Sequence, residues 1–158
     1  MKQDIKITRI FNNSVEEVWD AWKNPLLVKQ WWGPDKFICT FVKMDFREGG
    51  MSLVSMASPE LGFAEQFNSW RYIKIIPLES IEFVSNLSDE NGDTIEPAQI
   101  GMPRDFPKGV HHIVSFKKLS ENQTEVTVIE KDWPMTQMRK LSEMGMNQCL
   151  DKMAKALV

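Results

Sequence analysis

From Phe37 to Lys131 the chain is a succession of strand-like runs separated by turn signals, with no helical periodicity between them. The runs are Phe37 to Phe46, Met51 to Ala57, Phe63 to Ile76, Ser80 to Asn86, Val110 to Leu119 and Thr124 to Lys131. Parallel neighbours need long, usually helical crossovers, so this series predicts an antiparallel meander. In the first run Ile38, Thr40, Val42, Met44 and Phe46 share one face, Lys43, Asp45 and Arg47 take the other, and Glu48-Gly49-Gly50 supplies the next turn. A sheet of this kind must bury one face, and only one long helical segment is available to cover it.

That segment is Met135 to Val158. At 100° per residue, Met138, Ser142, Gly145, Met146, Cys149, Met153, Ala156 and Leu157 fall on one face and Lys140, Glu143, Asn147, Asp151 and Lys155 on the opposite one. The apolar stripe is thin, with Ser142, Gly145, Cys149 and Ala156 along its middle. Glycine within a helix costs about 1 kcal/mol relative to alanine, so Gly145 marks either a close backbone approach or vacated space. The small volume predicts a cavity between helix and sheet; a tightly packed core helix is the plain alternative. Five of the ten methionines, Met135, Met138, Met144, Met146 and Met153, lie here, and thioether side chains both fill irregular cores and adapt to changeable partners.

Ahead of the meander, residues 4–11 read as a strand, and Ser14 with Glu17 forms a capping box for a helix whose inner face is Val15, Val18, Trp19 and Trp22. Asn24-Pro25 stops that helix and opens a second, which ends at Trp31-Trp32-Gly33-Pro34. The helical spacing of Trp19, Trp22, Trp31 and Trp32 marks core anchors in preference to a stacking platform for bases or sugars. The irregular segment from Asn86 to Gly109, an insertion at about 87–109, carries Ile100, Met102 and Phe106 among its prolines and glycines. Long loops of this kind in compact domains often serve as lids, the alternative being a surface insertion.

A chain of 158 residues without internal repeats fits a single α+β domain, residues 1–158, able to bury roughly 70% of its unfolded surface. Nineteen basic and twenty-two acidic residues, scattered along the chain, give a net charge of −3 and disfavour nucleic-acid or anionic-membrane partners. With neither a signal-peptide pattern nor a membrane-length apolar run, and with Cys39 and Cys149 reading as reduced thiols in apolar surroundings, a cytoplasmic protein is expected.

Local catalytic signatures are lacking: there is no GxSxG elbow, Walker loop, GxGxxG fingerprint or spaced CxxC pair. His111 and His112 are adjacent on a strand and point to opposite faces, so no metal site and no cofactor is expected. One polar pair stands out. If the last hairpin turns near Glu121, His112 lies opposite Glu130 on an otherwise apolar face, where the carboxylate is expected to raise the histidine pKa and the two form a candidate acid–base or orienting pair. The plain alternative is a pair at the wet end of the sheet with no catalytic part.

The order strand, two short helices, antiparallel meander and long closing helix matches the helix-grip arrangement. Val15-Glu16-Glu17-Val18-Trp19-Asp20-Ala21-Trp22, Trp31-Trp32-Gly33-Pro34, Met44-Asp45-Phe46-Arg47 with Gly49-Gly50, and the closing run Gly145 to Met153 together resemble the START-related SRPBCC superfamily. Within it the likeness is to the family of the activator of the ninety-kilodalton heat-shock chaperone ATPase, and Gly101-Met102-Pro103 with Asp105-Phe106-Pro107 resembles an insertion found in some members. The resemblance implies a curved sheet of six or seven strands gripping the last helix. Two positions depart from the family pattern: Met146 replaces the usual tryptophan after the helix glycine, and Trp70 stands where many relatives have glycine.

Together these features lead to the expectation of a protein, monomeric or homodimeric, that holds a hydrophobic or amphipathic small molecule between sheet and closing helix. The candidate lining is Val54, Met56, Phe83, Val114, Met138, Ser142, Gly145, Cys149 and Met153, with Met102 and Phe106 as lid contacts. Two further readings of the same chain are a cyclase- or hydratase-like enzyme using His112 and Glu130, and a chaperone-interacting module suggested by the family resemblance.

Overall fold

The computed structural model describes residues 1–158. Local signals set its first elements. Ser14 Oγ accepts from the Glu17 amide and the Glu17 carboxylate accepts from the Ser14 amide, both at 3.2 Å, which starts helix α1 (Val15–Ala21). Asn24 then caps helix α2 (Pro25–Trp31) through the Leu26 amide, with Pro25 at the first helical position.

Seven strands form one antiparallel sheet: β1 (Lys2–Phe11), β2 (Ile38–Lys43), β3 (Met51–Ser58), β4 (Phe63–Ile76), β5 (Ser80–Ser88), β6 (Val110–Ser120) and β7 (Gln123–Pro134). The spatial order is β1-β7-β6-β5-β4-β3-β2, so the meander runs unbroken from β2 to β7 and the first strand closes onto the last. Helix α3 (Gln137–Ala156) lies over the face that also carries α1 and α2.

The strand read from Phe37 to Phe46 is shorter than its alternation implies. A bulge between Cys39 and Phe41 reverses the alternation, so Cys39 is buried while Ile38 is half exposed and Thr40 faces outward to Ser55 and Glu65. Val42, Met44 and Phe46 still reach the core. The long loop is less irregular than expected: a bridge from Thr94 to Ser88 extends the β5 hairpin pattern, and Pro97–Ile100 forms a single 3-10 turn closed by the left-handed Gly101.

Aromatic rings occupy much of the space between sheet and helices. Trp31 is fully buried, its Nε1 donates to the Ala21 carbonyl at 2.7 Å, and its ring centre lies 4.8 Å from Trp22 and 6.3 Å from Trp70. Trp70 also meets Trp32 at 5.2 Å and Phe83 at 5.3 Å. The tryptophans of α1 and α2 are therefore core anchors.

Helix α3 buries Met146, Cys149, Leu150 and Met153, a stripe at i, i+3, i+4 and i+7. This corrects the expected face, which omits Leu150: that residue and Met153 are fully buried and fill the interior beneath the C-terminal half, each contributing about 1.5–3 kcal/mol. No residue from Gln137 to Gly145 is buried, so the N-terminal half stands looser over the sheet. Polar clamps hold both halves: near the start of the helix Arg139 donates to the Asp4 carbonyl at 2.6 Å. Lys152 Nζ donates to the carbonyls of Gly33, Pro34 and Phe37 at 2.7, 3.1 and 3.0 Å, and Arg9 reaches Asp151 at 2.7 Å.

At Gly145 a Cβ would lie 3.6 Å from Pro34 Cβ and 3.9 Å from its Cγ, so the helix passes Pro34 with room for a methyl group and the backbone approach does not itself require a glycine. Those are ordinary contact distances. Gly145→Ala is therefore expected to stabilise the protein by up to about 1 kcal/mol, seen as a raised midpoint in thermal unfolding, while a midpoint lowered by the change would show that the approach is tighter than a methyl group allows.

Candidate functional site

The inner face of β6 presents Val110, His112, Val114 and Phe116, and that of β7 presents Val126, Val128 and Glu130, all buried. The register places His112 opposite Glu130. The two side chains nevertheless bond to different partners. His112 Nε2 pairs with Ser85 Oγ at 2.8 Å, its ring stacks on Phe83 at 4.6 Å, and its Nδ1 is buried without any hydrogen-bond partner. Glu130 Oε1 accepts from Trp133 Nε1 at 3.0 Å, and Ser142 of α3 supports the same carboxyl.

A local distortion makes the second contact possible. Residues three apart on a regular strand face opposite sides, yet Glu130 and Trp133 are both buried. Between them β7 shifts register against β1, and Asp132 adopts φ +58°, a left-handed conformation that non-glycine residues seldom take. Asp4 holds the distortion in place by accepting from the Asp132 amide at 3.0 Å and from Lys131 Nζ at 2.9 Å. The Trp133 ring then meets Phe106 of the long loop at 5.6 Å, nearly edge-on. Buried carboxyl, indole and loop are thus linked in one chain of contacts.

Both titratable groups are pushed toward their neutral forms. Burial lowers the His112 pKa to about 3, assisted by the charge on His111. Burial raises Glu130 to about 7, with Trp133 and Ser142 opposing and the Glu143 charge adding to the rise. The expectation that the carboxylate would raise the histidine pKa is therefore overturned: burial governs the histidine, and no direct hydrogen bond joins the pair. At neutral pH the site offers a neutral imidazole with a free nitrogen and a buried carboxyl group that titrates near neutrality.

The candidate lining residues separate into two groups. Val54, Val114, Cys149 and Met153 belong to one continuous core cluster, and burial pushes the Cys149 thiol up to about 12. Met56 is half-buried near Gly33, and Gly145 abuts Pro34. Phe83, in the same cluster, stacks on His112, Ser142 supports the Glu130 carboxyl and Phe106 meets Trp133, while Met138 packs partly buried against the core and Met102 is half-buried outside it. Sequence reasoning missed Ser85 and Trp133. Alternation from Phe83 carries the signal for Ser85; for Trp133 none exists, because its inward turn depends on the distortion at Asp132. Two open surface depressions, of about 300 and 460 Å³, lie by the ends of α3, the first at Met135–Gln137 with Arg139 and Lys140, the second beside Ile10–Asn13 with Ala154, Lys155 and Val158.

A family model described as activator of Hsp90 ATPase homolog 1-like protein matches residues 12–158. The chain belongs to this family. Solved structures agree with the fold. A protein of Arthrobacter aurescens aligns with a TM-score of 0.79 at 25% identity, over 98% of this chain and 85% of that one. A Chromobacterium violaceum protein gives 0.78 at 19% identity, over 98% and 96%. An activator-family protein from Silicibacter pomeroyi gives 0.76 at 17%, over 98% and 97%. Among curated proteins none matches. No helix is long and apolar enough to cross a membrane.

Proposed function

We propose that the protein binds a small molecule with an apolar body in the groove between the inner face of β5–β7 and the N-terminal half of α3, under the loop that carries Phe106. The observation that carries this reading is His112 Nδ1, a buried polar atom without a partner on an apolar face. Such an atom costs about 1–3 kcal/mol, a penalty that a bound polar group removes. The unburied first half of α3 and the loop contact at Trp133 supply a route of entry that leaves the packed second half undisturbed.

The test uses the uncharged fluorescent probe N-phenyl-1-naphthylamine. Saturable one-to-one binding is expected, weakened at least tenfold in Ser142→Phe, which fills the groove from the helix side. Absence of saturation, or equal affinity in the variant, would refute the reading. A second reading, proton transfer on the bound molecule, draws on the Glu130 pKa of about 7, close to the working pH that general acid–base catalysis favours. It predicts that the protein catalyses exchange of deuterium from D2O into a carbon-bound position of a co-purified ligand, an exchange lost in Glu130→Gln. A chaperone partner is suggested only by the family's name.

A further inference from the structure

We infer that the free edge of β2 pairs antiparallel with the same edge of a second copy of this chain, about a two-fold axis through the middle of the strand. β2 closes one end of the sheet, so its backbone has a strand partner only on the β3 side. The surface around this edge is apolar. Ile38, Phe41, Leu61 and Phe63 are each 40–56% exposed, Phe37 stacks on Phe63 at 5.6 Å, and Phe41 meets Phe67 at 6.0 Å. On β1, the opposite edge, Ile10 is the one large apolar side chain exposed. An unpaired edge beside exposed aromatic rings is a template for a further strand.

The charges name the partner. Val42 packs on the core, so Lys43 points to the outer face, where it is exposed and bonds to no group of its own chain. Glu65 lies on that face too: its carboxylate accepts from Thr40 and, at 3.1 Å, from Ser55, and no cation answers it. The bulge keeps both Thr40 and Phe41 outward, with Lys43 to one side of them and Ile38 to the other. A two-fold axis between Thr40 and Phe41 therefore sets Lys43 of each copy opposite Ile38 of the other, beside the Thr40 over which the Glu65 carboxylate sits. Both cations then meet both carboxylates, an isologous contact in which one patch complements itself. A lysine and a bulge on an edge also resist indiscriminate pairing, which leaves this edge open to a strand that brings its own carboxylate.

Sedimentation velocity of the intact protein from micromolar to millimolar concentration reads the association. The parent is expected to show a monomer–dimer equilibrium. Lys43→Glu and Glu65→Lys should each weaken it at least about tenfold, because every such homodimer opposes two like-charged pairs. Mixed in equal amounts, the two variants should recover the parent's affinity to within about threefold, since each charge pair of the heterodimer again joins opposite signs. Should Glu65→Lys not fold, amide exchange of the parent decides: protection that grows with concentration at residues 38–43 supports the pairing, and growth confined to other segments overturns it. A parent that stays monomeric, single variants that associate like the parent, or a mixture no tighter than its components also overturns the inference.

Discussion

His112→Phe should turn a stability that is nearly flat between pH 4.5 and 6.5 into one that falls by about 3 kcal/mol as the pH rises from 4.5 to 7. The reason is a cancellation between two buried groups. Glu130 has its pKa raised from 4.5 to about 7, so the native state keeps a proton that the unfolded chain gives up, and its contribution is full below pH 4.5 and lost as the pH rises toward 7. His112 has its pKa lowered from 6.5 to about 3, so the unfolded chain takes a proton that the native state refuses, and its contribution is full above pH 6.5 and lost as the pH falls toward 3. Between 4.5 and 6.5 native and unfolded states hold the same number of protons on this pair, one each, on different residues. The pair then contributes no slope. Removing the histidine exposes the carboxyl term alone, and each pKa unit is worth about 1.4 kcal/mol. Glu130→Gln exposes the opposite term, with stability falling as the pH drops from 6.5 to 4. Urea unfolding followed by tryptophan fluorescence at half-unit steps of pH measures both slopes. Curves for the two variants that run parallel to the parent would show that the groups are hydrated in the native protein.

How much of this site was legible beforehand depends on which residues obey simple periods. Val114, Val128, Phe83 and His112 follow strict alternation, and the His112–Glu130 register follows from a hairpin turning close to Glu121. The capping box at Ser14 and the Asn24-Pro25 start likewise act within a few residues of themselves and are readable without tertiary information. The bulges are different. Neither Cys39-Thr40-Phe41 nor Lys131-Asp132-Trp133 contains a glycine to announce it, and the second is held by Asp4, 128 residues away from its Asp132 partner. A stripe centred on Gly145 omits Leu150, which is buried. The buried stripe is rotated away from Gly145, which faces Pro34, toward the flank whose Asn147 and Asp151 meet Arg9 of β1, contacts that no local pattern encodes. The direction of the His112 pKa shift is illegible for a related reason: the sequence supplies the neighbour but not the depth of burial, and at His112 depth decides.

Trp70→Ala should lower stability by about 3–5 kcal/mol, a large share of the roughly 5–15 kcal/mol typical of a domain, while leaving the fold intact. Trp70 is buried on β4 at the meeting point of Trp31, Trp32 and Phe83, so its removal takes away ring contacts on three sides at once. The surroundings cannot collapse easily. Trp31 is fixed by its bond to the Ala21 carbonyl, and Phe83 is held between Trp70 and the His112 ring. The result is a cavity lined by aromatic carbon, of the kind that stays dry and accepts an apolar guest. Naphthalene at a hundred times its dissociation constant should therefore restore about 2.7 kcal/mol to the variant, well beyond any effect on the parent protein at the same concentration. In the parent, Trp70 occupies space that a glycine at the same place would leave open, so under the proposed function the indole limits how far a ligand would extend beyond Phe83. A loss below about 1 kcal/mol, or a variant that naphthalene stabilises no better than the parent, would mean that neighbouring side chains move into the space and that Trp70 does not limit the groove.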